Sequence, residues 1–313
     1  MKNVIICGVT GLLGMSLAKL LLKKNIFVVG IGRNDEKLKE LESYSNFYGI
    51  RLEFEEYKNV AKVLPYKDSY DAVYYFSWSG GFLQNALQNY VLQSNNVVAA
   101  CDFFVGLGGH RIKKYVYAGT INEIEIQQCM SQIDTFQLRG TCIYSSAKLS
   151  AEIMTRTLAQ RMRIAYCTGL VPMVYGENNY SKQLFNVVME KLLKGTPPDL
   201  TEGKNLYDLV YIDDIAGGFE AIGQSGKTGK RYYIGHRQLQ TFRKWMEDMR
   251  DVIAPNVSLN FGAYKDSLNL DYSLLDLDSL YKDTGFVCSS DFRESVKRTV
   301  DWYRSIGNNE DYL

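Results

Sequence analysis

The sequence predicts an α/β protein, a doubly wound parallel sheet followed by a smaller C-terminal α+β region. Three observations predict it. Short apolar runs without polar alternation recur through the first half, as strands buried on both faces require. Between them lie stretches of helical length and spacing, so strand and helix alternate. A glycine-spaced turn, Gly8 to Gly14, joins the first apolar run to the first helical stretch. Composition permits such a fold. The 313 residues are 46% hydrophobic and 23% charged, enough for a large core and roughly two domains at about 100–200 residues each.

The elements follow in order. "NVIIC" is the first strand, and Leu13, Leu17, Leu20 and Leu21 recur at helical spacing up to Lys23 and Lys24. "FVVGI" is the second strand and "DEKLKELES" a polar helix, with Asp35 and Glu36 at its start. "IRLEF" (50–54) reads as the third strand and "DAVYYF" as the fourth. A long helix covers Leu87 to Val105, "KKYVYA" is the fifth strand, a helix runs to about Arg161, and "RIAYCTGLV" is the sixth strand. After Pro172 the pattern changes to a helix at Lys182–Lys194, a "GTPPD" turn, a strand entering "LVYIDDIAGGFEAI", then shorter elements. The last helix carries Phe292, Val296, Val300 and Tyr303 on one face.

Charge and cysteine usage exclude several functions. Lys and Arg number 36 against 35 Asp and Glu, a net charge of +1, which suits neither nucleic acid nor a membrane surface. The six cysteines show no Cys-x-x-Cys spacing. The two histidines, His110 and His236, lack clustered partners, so neither a metal site nor a Ser-His-Asp triad is expected. The apolar N-terminus has a signal-like look, but its glycines fit a buried strand and turn. No uninterrupted apolar run reaches about 18 residues, and a cytoplasmic location is expected.

Gly8, Gly11 and Gly14 stand at G-x-x-G-x-x-G spacing between strand and helix. A dinucleotide pyrophosphate needs such a tight turn, a close backbone approach and the free N–H groups of a helix N-terminus. Thr10, Leu12 and Leu13 belong to the same cradle, of Rossmann type. After the second strand an acidic residue would bind a ribose 2′-OH, whereas an arginine accepts a 2′-phosphate. Here Arg33 follows the strand, which favours NADP(H) over NAD(H). Residues 1–172 are therefore read as an NAD(P)-binding domain, with a segment at about 210–222 returning to it. Residues 173–313 are read as mainly substrate-binding.

Tyr144 and Lys148, in "YSSAK", share one helix face. An ammonium beside a phenol lowers the phenol's pKa, so the tyrosine can exchange a proton with a carbonyl or alcohol during hydride transfer. Thr120, ending the fifth strand in "YVYAGTINE", is placed to hold the same substrate oxygen.

With these residues the chain resembles the extended short-chain dehydrogenases/reductases, the nucleotide-sugar epimerases, dehydratases and reductases. "GVTGLLG", "SNNVVAA", "RIKKYVYAGT", "YSSAKLSAE", "MVYGEN" and "LVYIDDIAGGFEA" carry the resemblance in order along most of the chain. It implies Thr120, Tyr144 and Lys148 as the catalytic set. Lys148 would also bond the nicotinamide ribose, and Phe76 and Ser77 would lie along the cofactor. It implies a homodimer through the long helix near Leu92–Phe104 and the helix after Tyr144. Two departures concern the substrate. Tyr207 stands where the family often has a diphosphate-binding arginine, and Met173 where it often has an asparagine. Asn178, Lys182, Lys204 and Lys265 are the replacement candidates. The dehydratases carry an Asp-Glu pair directly after the threonine, but here Thr120-Ile121-Asn122-Glu123 leaves one displaced carboxylate, Glu123. The expected activity is a nucleotide-sugar 4-ketoreductase. A 4-epimerase with retained NAD is the alternative, and a non-catalytic NADP-binding protein the third reading.

Overall fold

The structure, a computed structural model, describes residues 1–65, 69–80, 84–108, 110–131, 138–265 and 270–307. The first half runs β1 (Asn3–Cys7), α1 (Leu12–Lys23), β2 (Phe27–Gly32), α2 (Asp35–Leu41), β3 (Phe47–Arg51), β4 (Ala72–Tyr75), α3 (Gln84–Leu87), α4 (Tyr90–Gly106), β5 (Lys114–Thr120), α5 (Glu123–Ser131), α6 (Cys142–Arg161) and β6 (Ala165–Val171). The second half runs β7 (Met173–Tyr175), α7 (Leu184–Leu193), β8 (Asp199–Leu200), β9 (Leu206–Tyr207), β10 (Leu209–Tyr211), α8 (Ile212–Ser225), β11 (Arg231–Tyr233), β12 (Gln240–Thr241), α9 (Phe242–Ile253), β13 (Asn260–Phe261), α10 (Ser279–Thr284) and α11 (Phe292–Gly307).

Seven strands form one parallel sheet in the order β11-β6-β5-β4-β1-β2-β3. The continuous apolar runs are explained by burial on both faces. In β1, Val4 and Ile6 join the core beneath α1 and α8, whereas Ile5 and Cys7 join the core beneath α4 and α6. The chain leaves β1 for β2 and β3 on one side, and β4, β5 and β6 follow on the other. That reversal opens a crevice at the carboxyl ends of β1 and β4.

Two expectations shift. The third strand lies at Phe47–Arg51 rather than 50–54. Glu53 and Glu56 form a reciprocal capping box, so Phe54 begins a 3-10 helix, Phe54–Lys62, instead of ending a strand. The long helix starts at Tyr90, because the Asn89 side chain accepts the Leu92 N–H at 3.0 Å and caps it there.

After β6 the chain forms short pairs, β7 with β10, β9 with β12 and β8 with β13. Helix α8 then packs beside α1, and β11 adds to the sheet next to β6. The stretch Ile212–Tyr233 thus packs on the seven-stranded sheet. The apolar face of α8, Ile215, Phe219 and Ile222, is continuous with the core that also holds Phe185, Met246 and Val296. Among the described residues no helix is long and apolar enough to cross a membrane.

Candidate active site

At the crevice the chain turns sharply after β1. Gly8 has φ +85°, and a Cβ there would stand 2.7 Å from the Ser77 nitrogen. A Cβ on Gly14 would stand 2.2 Å from the Gly8 carbonyl oxygen. The turn, α1 and the end of β4 therefore meet backbone to backbone. The Gly8 and Val9 N–H groups both donate to the Ile31 carbonyl, at 2.8 and 3.0 Å, which fastens the turn to β2. Gly11 caps α1 without a side-chain hydrogen bond, and the first turn holds no acidic residue. The N–H groups of Leu12, Leu13 and Gly14 lie at the positive end of the helix dipole, where intrahelical acceptors are lacking by geometry. These features fit a dinucleotide pyrophosphate.

Thr10 packs against Gly32, where a Cβ would stand 2.6 Å from the threonine methyl. Arg33 is exposed, its guanidinium 5.0 Å from the Phe54 ring centroid. The neighbouring polar residues have other partners. Asn34 caps α2 through the Lys37 N–H at 2.9 Å, and Asp35 pairs with Arg51 at 3.2 Å. Phe76 packs edge-on against Phe219 at 4.7 Å, and the Ser77 hydroxyl lies 2.8 Å from the Tyr57 phenol.

Thr120 ends β5, and α6 brings Tyr144 and Lys148 to it. The Tyr144 phenol is hydrogen-bonded to the Thr120 side chain. Burial pushes the phenol above its ordinary range, the charge of Glu123 pushes it further, and the Thr120 bond opposes both. The expected lowering by Lys148 is not found. The Lys148 ammonium instead donates to the Ala118 carbonyl at 2.6 Å and lies over the Trp78 and Tyr117 rings at 4.3 and 4.7 Å. Burial pulls Lys148 down to about 8, against the upward pull of Glu123 and Glu152.

The substrate candidates lie on three separate segments. Asn178 (φ +65°) and Lys182 are exposed on the loop between β7 and α7. Lys204 is paired with Glu202 at 2.6 Å, and Lys265 is exposed at the end of its described segment. Glu123 is only 1% exposed, accepts the Thr120 main-chain N–H at 2.9 Å and pairs with Arg231.

Sequence reasoning passed over Trp78, Arg231 and a cluster around Asp208. That carboxylate is fully buried and accepts from the Tyr233 hydroxyl at 2.6 Å and the His236 N–H at 2.9 Å, with the His236 ring Nδ1 at 2.6 Å. Burial resists charge on His236, but Asp208 outweighs it and the imidazole pKa is raised. A charged residue opening the aromatic strand "RYYIG" was the available signal for Arg231.

A family model described as the NAD dependent epimerase/dehydratase family matches residues 4–235. A curated relative is the trifunctional UDP-glucose 4,6-dehydratase/UDP-4-keto-6-deoxy-D-glucose 3,5-epimerase/UDP-4-keto-L-rhamnose-reductase of Arabidopsis thaliana. It is 22% identical over 325 residues, covering 96% of this chain and 47% of that protein. The chain thus spans under half the length of that relative. The dTDP-D-glucose 4,6-dehydratase of Dictyostelium discoideum is 23% identical over 75% of this chain and 58% of its own length. Among solved structures, the Bordetella bronchiseptica enzyme WbmF in complex with NADH superposes with a TM-score of 0.78 at 17% identity, covering 98% of this chain and 93% of that one. UDP-glucuronic acid 4-epimerase from Bacillus cereus, in complex with UDP-glucuronic acid and NAD, gives 0.76 at 17% identity over 97% and 99%. At such identities these likenesses establish the shared fold.

Proposed function

The chain belongs to the NAD dependent epimerase/dehydratase family, and from that premise we propose that it is an NAD(P)-dependent oxidoreductase acting at C4 of a nucleotide-linked sugar, with reduction of a 4-keto group as its reaction. The observation that carries this reading is the meeting of Thr120, Tyr144 and Lys148 at the carboxyl edge of the sheet, beside the glycine turn. The nicotinamide, when bound, supplies the hydride. The Tyr144 phenol, which burial keeps protonated, gives its proton to the carbonyl oxygen. The Thr120 hydroxyl donates to the same oxygen as negative charge develops on it. Lys148, whose ammonium bonds the Ala118 carbonyl rather than the phenol, is proposed to hold the nicotinamide ribose.

Reduction is preferred over dehydration on one ground. Loss of water across C5 and C6 needs a free acid–base pair, and the displaced Glu123 is buried between Arg231 and the Thr120 N–H. Arg33, exposed beside the Phe54 ring, supports NADP(H) as the cofactor, since its guanidinium is open to a 2′-phosphate. Asn178, Lys182, Lys204 and Lys265 are proposed to serve the nucleotide diphosphate. A 4-epimerase with retained NAD is the second reading, favoured by the likeness to the Bacillus cereus 4-epimerase bound to NAD.

One experiment separates these readings. Offer UDP-linked and dTDP-linked 4-keto-6-deoxyglucose with NADPH and follow absorbance at the reduced-nicotinamide band. In parallel, incubate UDP-hexoses without added cofactor and analyse by NMR. Stoichiometric NADPH loss with a 4-hydroxy product supports the reductase. A C4 epimer without net NADPH use replaces it with the epimerase. A 4-keto product from the hexose would show that Glu123 acts as acid–base after all.

A further inference from the structure

The Tyr144–Lys148 pair adjoins a buried ionic layer. Glu123 opens α5 three residues after Thr120. Its Oε1 accepts the Thr120 main-chain N–H at 2.9 Å, and its Oε2 accepts from Arg231 Nη2. Arg231 stands on β11 opposite Thr168 of β6, and its Nε lies 3.0 Å from Glu152 Oε1. Glu152 lies one turn past Lys148 on α6, and the two carboxylates are 1% and 2% exposed. Buried carboxylates at this depth require paired cations. Glu152 has two, Arg231 and the more exposed Arg156 at 3.9 Å. Glu123 shares Arg231, and the charge of Lys148 acts on it as well.

We propose that Glu123 is a positioning residue of the proton-transfer pair, fixing Thr120 through its main chain and supplying the buried negative charge that keeps Lys148 an ammonium. This rests on the reading of Tyr144 and Lys148 as that pair. The main-chain bond matters because Thr120 carries the hydroxyl that holds the Tyr144 phenol. The charge matters because Lys148 loses hydration from every side. Strand β5 presents the Ala118 carbonyl and the Tyr117 ring, the segment after β4 presents Trp78, and α6 itself presents Tyr144 and Glu152. Helix α5 presents Glu123, and Arg231 of β11 lies behind the two carboxylates. Burial disfavours the ammonium, and Glu123 comes first among the charges that restore it. Burial and Glu152 push this carboxyl up to about 8, against the pull of Arg231, so its charge develops as pH rises through that range, and once present it raises the phenol of Tyr144. Its ionisation therefore sets both members of the pair, keeping the lysine charged and the phenol protonated.

Trp78 gives a readout that needs no substrate, since the Lys148 ammonium stands 4.3 Å from its ring. Indole emission is followed against pH for the cofactor-free wild type, Glu123→Gln and Lys148→Met, with Trp78→Phe as the baseline for the other two tryptophans, Trp245 and Trp302. Glutamine keeps an acceptor for the Thr120 N–H and removes the charge. The expected result is a transition in Glu123→Gln that lies at least about one pH unit below that of the wild type and is lost in Lys148→Met. A transition at the same or a higher pH in Glu123→Gln, or none in either protein, overturns the proposal. Should Glu123→Gln not fold, Glu123→Met removes the same charge with a side chain of similar length, leaves Arg231 paired with Glu152, and carries the same expectation. Because no turnover is measured, this test fails independently of the reductase reading, which NADPH consumption decides.

Discussion

Arg33 leaves the end of β2 with its guanidinium beside the Phe54 ring and no acid preceding it. A charge-assisted bond to a 2′-phosphate contributes about 1.5–3 kcal/mol, roughly ten- to a hundredfold in affinity. Arg33→Ala is therefore expected to weaken NADPH by about that factor and to leave NADH unchanged, as read by fluorescence titration. Equal wild-type affinities for the two cofactors would remove the basis for the preference. Local spacing made Arg33, the glycines and Tyr144–Lys148 legible in the sequence. What spacing could not reveal is where Lys148 points. The i to i+4 relation predicts a lysine turned to the phenol, but Ala118 offers a carbonyl and Trp78 and Tyr117 offer ring faces, and the ammonium takes those. The Arg231 layer was hidden for another reason. Its members are 29 to 108 residues apart, joined only because β11 adds to β6.

Secondary elements here are fastened by backbone contacts that tolerate little change. A Cβ on Gly14 meets the Gly8 carbonyl at 2.2 Å, a rigid neighbour. Gly14→Ala should lower stability by about 1–3 kcal/mol and weaken both cofactors together, unlike the Arg33 variant. Urea melts and the two titrations check this, and wild-type values in both would contradict it. At the opposite end of the sheet, Asp71 binds the main-chain N–H groups of Lys2 and Asn3 and pairs with Lys113 at 2.7 Å, tying β1 to β4 and β5. Burial raises its pKa, but those bonds outweigh burial and the net shift is downward. A depressed carboxylate gives stability that is full above its unfolded value, about 4, and is lost as pH falls through the lower folded value. Asp71→Asn should abolish that part of the acid dependence, costing about 1–2 kcal/mol at neutral pH, as denaturant melts at several pH values would show. The slipped third strand belongs to this scale too. Residues 50–54 read as a strand, but the Glu53–Glu56 capping box claims Phe54 for a helix.

The doubly wound parallel sheet was legible as a whole, since alternating apolar strands and helices admit few topologies; its strand order and the crevice at the switch point came from the structure. The far edge was less so, because "RYY" is too short a run to declare itself a seventh strand. On the outer surface, Val91, Val98 and Val105 recur every seven residues along α4 at 51–58% exposure, with Ile153 of α6 exposed at 56%. We propose that this face pairs two copies. The wild type should run at twice the chain mass in light scattering, and Val98→Glu should run as a monomer. A monomeric wild type at micromolar concentration would end that proposal. The most direct test of the central claim, that Tyr144 delivers the proton, is the kcat of Tyr144→Phe with NADPH and the 4-keto sugar nucleotide. Removing one phenol oxygen should leave NADPH affinity within about twofold and lower kcat by roughly a thousandfold. A kcat within about tenfold of wild type would contradict the account and leave "YSSAK" as an ordinary helix face.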